Sequence, residues 1–318
     1  MKKSFLTIFI LFLAAVLAVF LYAVWQVLPM QLRAPKELFV VSKNFSEAEI
    51  IGQLAKKGFI KNEEAFRWAL KQEGGGGKIV PGGYYISKGM SAISLAEILA
   101  APPVQKWVTL PEGLRKEESA DILQKELGWD DRRRQEFLDS SKEGYVFPET
   151  YLLDAGLSGK EISGIMSDQF NEEFSDQFEK YSGGLSLEEV VTLASLVQRE
   201  SRNAREMPLV AGIILNRLGL DMKLDIDAAL QYQLGTSKDW WPQVSSADKS
   251  VDSGYNTYLR KGLPVAPICD PGIAALNAVL LPQENDYLYY LHDSSGAIHC
   301  AKTYQEHLSN INKYLRSL

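Results

Sequence analysis

Behind Lys2 and Lys3, the apolar run from Phe5 to Trp25 carries no charge. About 20 such residues suffice to cross a bilayer as a helix. A cleaved signal peptide is the other reading. Its apolar region is shorter, about 7–15 residues, and ends at a small-x-small site. Here the run is longer and closes on Tyr22 and Trp25, which suit a membrane–water interface. A retained single-pass anchor is the expectation. Lys2 and Lys3 place the N-terminus in the cytoplasm and the remainder outside it. The anchor with its cytoplasmic stub takes 1–28, and 29–36, with Pro29 and Pro35, is a short linker.

Past the linker the pattern changes to short strands and amphipathic helices. Leu38–Val41 and Lys106–Leu110 read as strands. Each is followed by a turn and a helical stretch, Ser46–Lys57 and Arg115–Leu127. Gly58 and Gly128 are the expected stops. Between these copies lie a helix near Glu63–Lys71, the run Gly74–Gly77, and Pro81–Ile86, a turn entering a strand. The glycine run lacks the Lys-Ser/Thr ending of a phosphate loop and reads as a flexible linker. Residues 37–142 thus form one α/β subdomain.

Residues 143–318 are mainly helical. Ser186–Glu189 is a capping box that opens a helix ending at Glu200. Met207–Leu218 is a second helix, with Pro208 tolerated in its first turn, and Asp225–Leu234 a third. Ser253–Gly272, rich in Gly, Pro, Tyr and Asn, is an ordered loop before the helix Ala274–Leu280. Tyr287–Leu291 and Ile298–Cys300 flank the turn Asp293–Gly296 as a hairpin. Tyr304–Leu315 closes the chain as a helix. Helices and antiparallel strands without βαβ alternation place the chain in the α+β class.

Within the first of these helices, Val190, Leu193, Ala194 and Val197 make one apolar stripe, and Glu200 falls on the same side. Arg199 points nearly the opposite way. A carboxylate held against an apolar face loses water, so its pKa rises and it can act as a proton donor near neutral pH. The alternative is a fraying helix end whose Glu200 pairs with Arg205. Charge and composition narrow the partners. A formal net charge of −6 argues against nucleic acid as the main ligand. Cys269 and Cys300 read as buried thiols, and the sequence does not set whether they pair. His292, His299 and His307 make no metal-spaced cluster with them and read as structural, so no metal or other cofactor is expected.

Several motifs occur together and in order: Glu143-Gly144-Tyr145-Val146-Phe147-Pro148-Glu149-Thr150-Tyr151, Ala194–Glu200, Asn216-Arg217-Leu218, Met222–Asp227, Tyr255-Asn256-Thr257-Tyr258, Gly262-Leu263-Pro264, Pro267–Gly272 and Ala301–His307. In this set the chain resembles the MltG/YceG-like endolytic murein transglycosylases. The resemblance implies an inner-membrane anchor, a LysM-like subdomain at 37–142 and a YceG-like catalytic domain at 143–318. It implies cleavage of the β-1,4 bond between N-acetylmuramic acid and N-acetylglucosamine within peptidoglycan strands, leaving 1,6-anhydro ends. Glu200 would be the acid and then the base, because the nucleophile is the muramyl C6 hydroxyl. Intramolecular attack can be worth about 7–11 kcal/mol when well oriented. An ordinary glycosidase needs two carboxylates, about 5–5.5 Å or about 6.5–9.5 Å apart. Peptidoglycan synthases are the candidate protein partners.

The chain departs from the family in places. Gln198 stands where many relatives have a second glutamate. Asp225-Ile226-Asp227-Ala228-Ala229 replaces a Gln-x-Asp-Pro-Thr stretch, keeping Asp227. Gly254 stands for a frequent proline and Asp270 for a frequent asparagine. Candidate substrate contacts are Asn216, Arg217, Asp227, Tyr255, Asn256, Thr257, Tyr258 and Glu149. Each has a structural counterpart: Arg217 as a helix tie, Asp227 as a cap, the tyrosine loop as a self-packed turn. Glu149 is the rival acid, and it is expected to rim the cleft together with Tyr151. Two other functions stay open. One is a water-using muramidase with Asp225 or Asp227 as second carboxylate. The other is a non-catalytic peptidoglycan-binding scaffold.

Overall fold

The computed structural model describes residues 2–73 and 78–315; the Gly74–Gly77 run read as a flexible linker lies outside the described residues. The chain divides into two compact units, Met1–Val108 with Tyr151–Gly156, and Thr109–Thr150 with Leu157–Leu318.

The first unit opens with α1 (Lys2–Val27). Its segment Phe5–Val27 has a mean hydropathy of 2.8, is unburied by protein, and is long and apolar enough to cross a membrane. The segment after it is bonded to the unit: Gln31 N donates to Lys88 O (3.1 Å) and Ser87 Oγ to Ala34 O (2.7 Å). Then follow β1 (Glu37–Val41), α2 (Glu47–Lys56), α3 (Glu63–Gln72), β2 (Gly82–Ile86), α4 (Ala92–Ala100), β3 (Gln105–Thr109) and β4 (Thr150–Asp154). The sheet order is β1-β2-β3-β4. β1 pairs antiparallel with β2 from Glu37↔Ile86 to Val41↔Gly82. In β1 the two-residue period buries Phe39 and Val41 and leaves Leu38 exposed. Ser46 and Glu49 form the capping box of α2, and Gly58 takes a φ of +75° just beyond it. The core gathers Ile51 and Leu54, Phe66 and Leu70, and Leu95 and Leu99 from α4. The sequence reading passed over α4, although Ser91 caps it and Ala92, Leu95, Ala96 and Leu99 make its buried stripe.

The second unit contains α5 (Lys116–Leu127), α6 (Asp131–Ser140), α7 (Gly159–Glu179), α8 (Leu187–Glu200), α9 (Met207–Gly219), α10 (Asp227–Leu234), α11 (Ile273–Leu280), the hairpin β5 (Tyr289–His292) and β6 (Ile298–Ala301), and α12 (Tyr304–Tyr314). α8 is the central helix: every residue from Val190 to Val197 is buried, and it packs on α9 and α11. An all-round apolar helix of this kind belongs in a core. α7 also escaped the sequence reading. Its buried residues Ile162, Met166, Phe170 and Phe174 recur every four positions in a stretch otherwise rich in acids and amides. α10 starts at Asp227, not Asp225, because Asp225 has a left-handed φ of +54° and Ile226 is extended. The α+β class holds. Cys269 and Cys300 are both free thiols, Cys269 buried and Cys300 half-buried.

Candidate active site

Glu200 is the last residue of α8. Ser201 is already extended, so the carboxyl projects from a helix end whose preceding turns are anchored in the core. The side chain lines a cavity of about 300 Å³ within the second unit. Tyr290 Oη, from β5, donates a 2.7 Å hydrogen bond to Glu200 Oε2. Glu200 Oε1 accepts no protein hydrogen bond among the described residues. Burial pushes the Glu200 pKa up. The Tyr290 bond opposes the rise, the Asp227 charge adds to it, and the Arg199 guanidinium opposes it again. Burial also raises the Tyr290 pKa far above its ordinary value, so the phenol keeps its proton and acts as donor. The expected pairing of Glu200 with Arg205 does not form among the described residues. Arg199 lies over the Trp241 ring, 3.6 Å from its centroid.

The cavity floor and walls come from several elements. Leu224, Asp225 and Ile226 precede α10, Arg217 ends α9, and Tyr258 comes from the long loop. Arg217 Nη2 pairs with Asp225 Oδ2, its Nε donates to Lys223 O (3.0 Å) and its Nη1 to Leu288 O (3.3 Å). The left-handed Asp225 is held further by its N–H on Thr257 O (3.2 Å). Such over-determination is how a strained conformation persists. Tyr258 Oη donates to Asp227 Oδ1 (2.7 Å), and Lys249 Nζ stands 3.2 Å from the same oxygen. The far wall is aromatic. Tyr289 stacks on His307 (5.3 Å between centroids) and meets Tyr304 at 5.9 Å. His307 Nδ1 has no partner among the described residues. Burial, and then the nearby Arg217, lower the His307 pKa, which favours the neutral ring.

Of the sequence candidates, Glu200, Arg217 and Tyr258 meet at this cavity, and Asp227 stands behind Tyr258. The others are placed elsewhere. Asn216 Nδ2 donates to Asn285 O (2.8 Å) and Tyr287 O (3.1 Å). Asn256 is buried, donating to Val251 O (2.7 Å) and accepting from Tyr258 N (2.9 Å). Thr257 Oγ1 accepts from Ile226 N (2.9 Å) and so braces the cavity floor from behind. Tyr255 packs against Tyr232 with the rings tilted, 4.9 Å between centroids. Glu149 is exposed, and its carboxylate accepts from Thr150 N (2.8 Å). Gln198 Oε1 accepts from Gly272 N (3.0 Å), a loop-holding task an amide performs without charge. Sequence reasoning did not assign Tyr289, Tyr290, Tyr304 or His307 to the site. The available signal was the tyrosine-rich strand Tyr287–Tyr290, together with the Tyr304 and His307 of the last matched motif. His292 and His299 sit apart on acids, Glu206 (3.2 Å) and Asp293 (2.7 Å).

The chemistry of this arrangement is that of one acid. A protonated carboxyl with one oxygen fixed and the other open can give a proton to a bound oxygen and later take one back. Tyrosine faces and a guanidinium beside it suit a polar ligand with apolar faces, such as a sugar.

Residues 39–313 match the YceG-like family. An endolytic murein transglycosylase of Bacillus subtilis is 29% identical over 304 residues, which cover 86% of this chain and 83% of that protein. A protein of the same name from Streptococcus pneumoniae is 29% identical over 180 residues, 55% of this chain and 32% of that longer protein. The crystal structure of a YceG-like protein from Listeria monocytogenes shares the fold, with a TM-score of 0.52 at 24% identity over 87% of this chain and 99% of the other. With its match running from β1 into α12, the chain belongs to the YceG-like family.

Proposed function

We propose that the chain is a membrane-anchored lytic transglycosylase that cuts peptidoglycan strands internally, at the β-1,4 bond between N-acetylmuramic acid and N-acetylglucosamine. Its α1 would sit in the cytoplasmic (inner) membrane with the N-terminus inside and the second unit outside. It would work beside the synthases that make new strands. The names of the relatives support the reaction class. The observation that carries the assignment is the Glu200 carboxyl: half-buried with its pKa raised, fixed at one oxygen by Tyr290, and placed at the edge of a cavity.

In this mechanism neutral Glu200 protonates the glycosidic oxygen as the bond to muramyl C1 breaks. The resulting carboxylate takes the proton of the muramyl C6 hydroxyl as that oxygen closes on C1. The acid is restored and no water is consumed. Tyr290 orients the carboxyl, and the Arg217–Asp225 pair shapes the wall against which the sugar rests. Incubating the purified chain with peptidoglycan and weighing the products tests this. Anhydro ends, one water lighter than reducing ends, are expected. Absence of any product would leave the scaffold reading.

One observation favours a second reading. Asp225 lines the same cavity as Glu200, which supports a hydrolytic muramidase with Asp225 as second carboxylate. That reading requires reducing ends, and it requires Asp225→Asn to be as damaging as Glu200→Gln.

A further inference from the structure

A second cleft, of about 500 Å³, lies within the first unit. One wall is the outer end of α1, with Phe20, Tyr22 and Val27. The facing wall is Ala65 and Trp68 of α3 with Ile93 of α4. Trp68 is 57% exposed and Ile93 44% exposed, an unusual state for residues of this size on adjoining helices. The two walls are tied together. Lys61 Nζ donates to Trp25 O (3.2 Å) and stands 4.7 Å from the centre of the Trp25 ring. The Gln31–Lys88 and Ser87–Ala34 bonds fasten the chain just after the helix.

What fills the cleft follows from where its first wall must be. The apolar segment is Phe5–Val27. At about 1.5 Å per residue it is about 34 Å long, slightly more than the hydrocarbon thickness of about 30 Å. Once it spans, its last two turns occupy the outer edge of the acyl region and the start of the headgroups. Tyr22 and Trp25 are there, as an aromatic belt requires. The cleft lies at that same depth, since Phe20, Tyr22 and Val27 line it. The facing wall therefore cannot be in bulk water while the first wall is in lipid.

We propose that the first unit docks on the outer leaflet through this face, with the tops of lipid acyl chains in the cleft and Trp68 and Ile93 seated in the interface. The occupant is the lipid of the same bilayer that holds α1. The contact is apolar rather than charge-driven. α3 carries Glu63 and Glu64 against Arg67 and Lys71, so the helix is charge-balanced and gives anionic headgroups no net pull. The inference rests on α1 spanning the bilayer and is independent of the reaction assigned to Glu200.

The test uses the full chain in phosphatidylcholine vesicles whose lipids carry bromine near the top of the acyl chains, a quencher of nearby tryptophan. Trp25 and Trp68 are the tryptophans at that depth, so Trp68→Phe should roughly halve the quenched amplitude. Quenching should persist in high salt. An amplitude unchanged by Trp68→Phe, or a difference abolished by salt, overturns the docking. Alkaline carbonate extraction separates the two readings. A chain stripped from the vesicles would defeat the spanning helix and the docking with it. A chain retained with Trp68 unquenched would defeat the docking alone.

Discussion

Glu143 and Glu200 are both acids of the second unit whose surroundings raise their pKa, and each replaces lost water differently. Glu143 is enclosed. Its Oε1 accepts from Lys116 N (3.0 Å) and its Oε2 from Tyr232 Oη (2.9 Å). Nearby Asp270 is wholly buried, with Oδ1 accepting from Gly144 N (2.9 Å) and Val146 N (3.2 Å). Burial, and then the Glu117 charge, push Glu143 up to about 7, and burial holds Asp270 well above the carboxylate range. Glu200 has one oxygen bound and one facing a cavity. A raised pKa is thus common to a structural acid and to the candidate catalytic one. A place at a cavity separates them: Asp270 Oδ2 also lacks a partner among the described residues but is sealed in the core, whereas Glu200 lines open space.

Exchanging each acid for its amide breaks or sharpens that contrast. Glu200→Gln should lower turnover by about 10²–10⁴ while leaving the melting temperature nearly unchanged, read by product release and calorimetry. Glu143→Gln should keep most of its turnover, because the amide oxygen can still accept from Lys116 N while the amide NH2 donates to a turned Tyr232 hydroxyl. A folded but inactive Glu143→Gln would erase the distinction. In the wild type, kcat/KM should fall as pH rises through the elevated Glu200 pKa, since the acid form is the active one. Tyr290→Phe removes the bond that steadies the carboxylate. It should move that alkaline limb upward by about one to two pH units, measured in the same profile.

Glu143 should report on stability instead. Its pKa is about 7 when folded against an ordinary 4.5, so between those values the folded chain holds more protons than the unfolded one. Stability is then fully present below the lower value and is lost as pH rises through the upper. Melting curves of Glu143→Gln should match the wild type at acid pH and gain on it as pH passes neutrality. Asp270→Asn should show the smallest change, within about 1 kcal/mol, because its carbonyl oxygen can still accept from Gly144 and Val146. Denaturant titration at two pH values checks it.

Local pattern was enough for α8 with its capping box, for α2 with its Gly58 stop and for the hairpin, because each is written in adjacent residues. It was enough to single out Glu200, whose position on the helix follows from Leu193 and Val197. It failed for α4 and α7, where a narrow buried stripe is diluted by neighbours of other character. It also could not supply the rest of the site. Tyr290 stands 90 positions from Glu200, and no periodicity links residues so far apart. Asn216, Asn256 and Thr257 show the converse. Their side chains are the kind that bind sugars, yet here they satisfy buried backbone groups, a use that composition does not distinguish from recognition.

The phenol that grips Glu200 arrives on β5, and the aromatic wall is finished by α12, the last described helix. A chain shorn of β5 and α12 would therefore keep its acid at the end of a buried helix and lose everything that aims and shelters it.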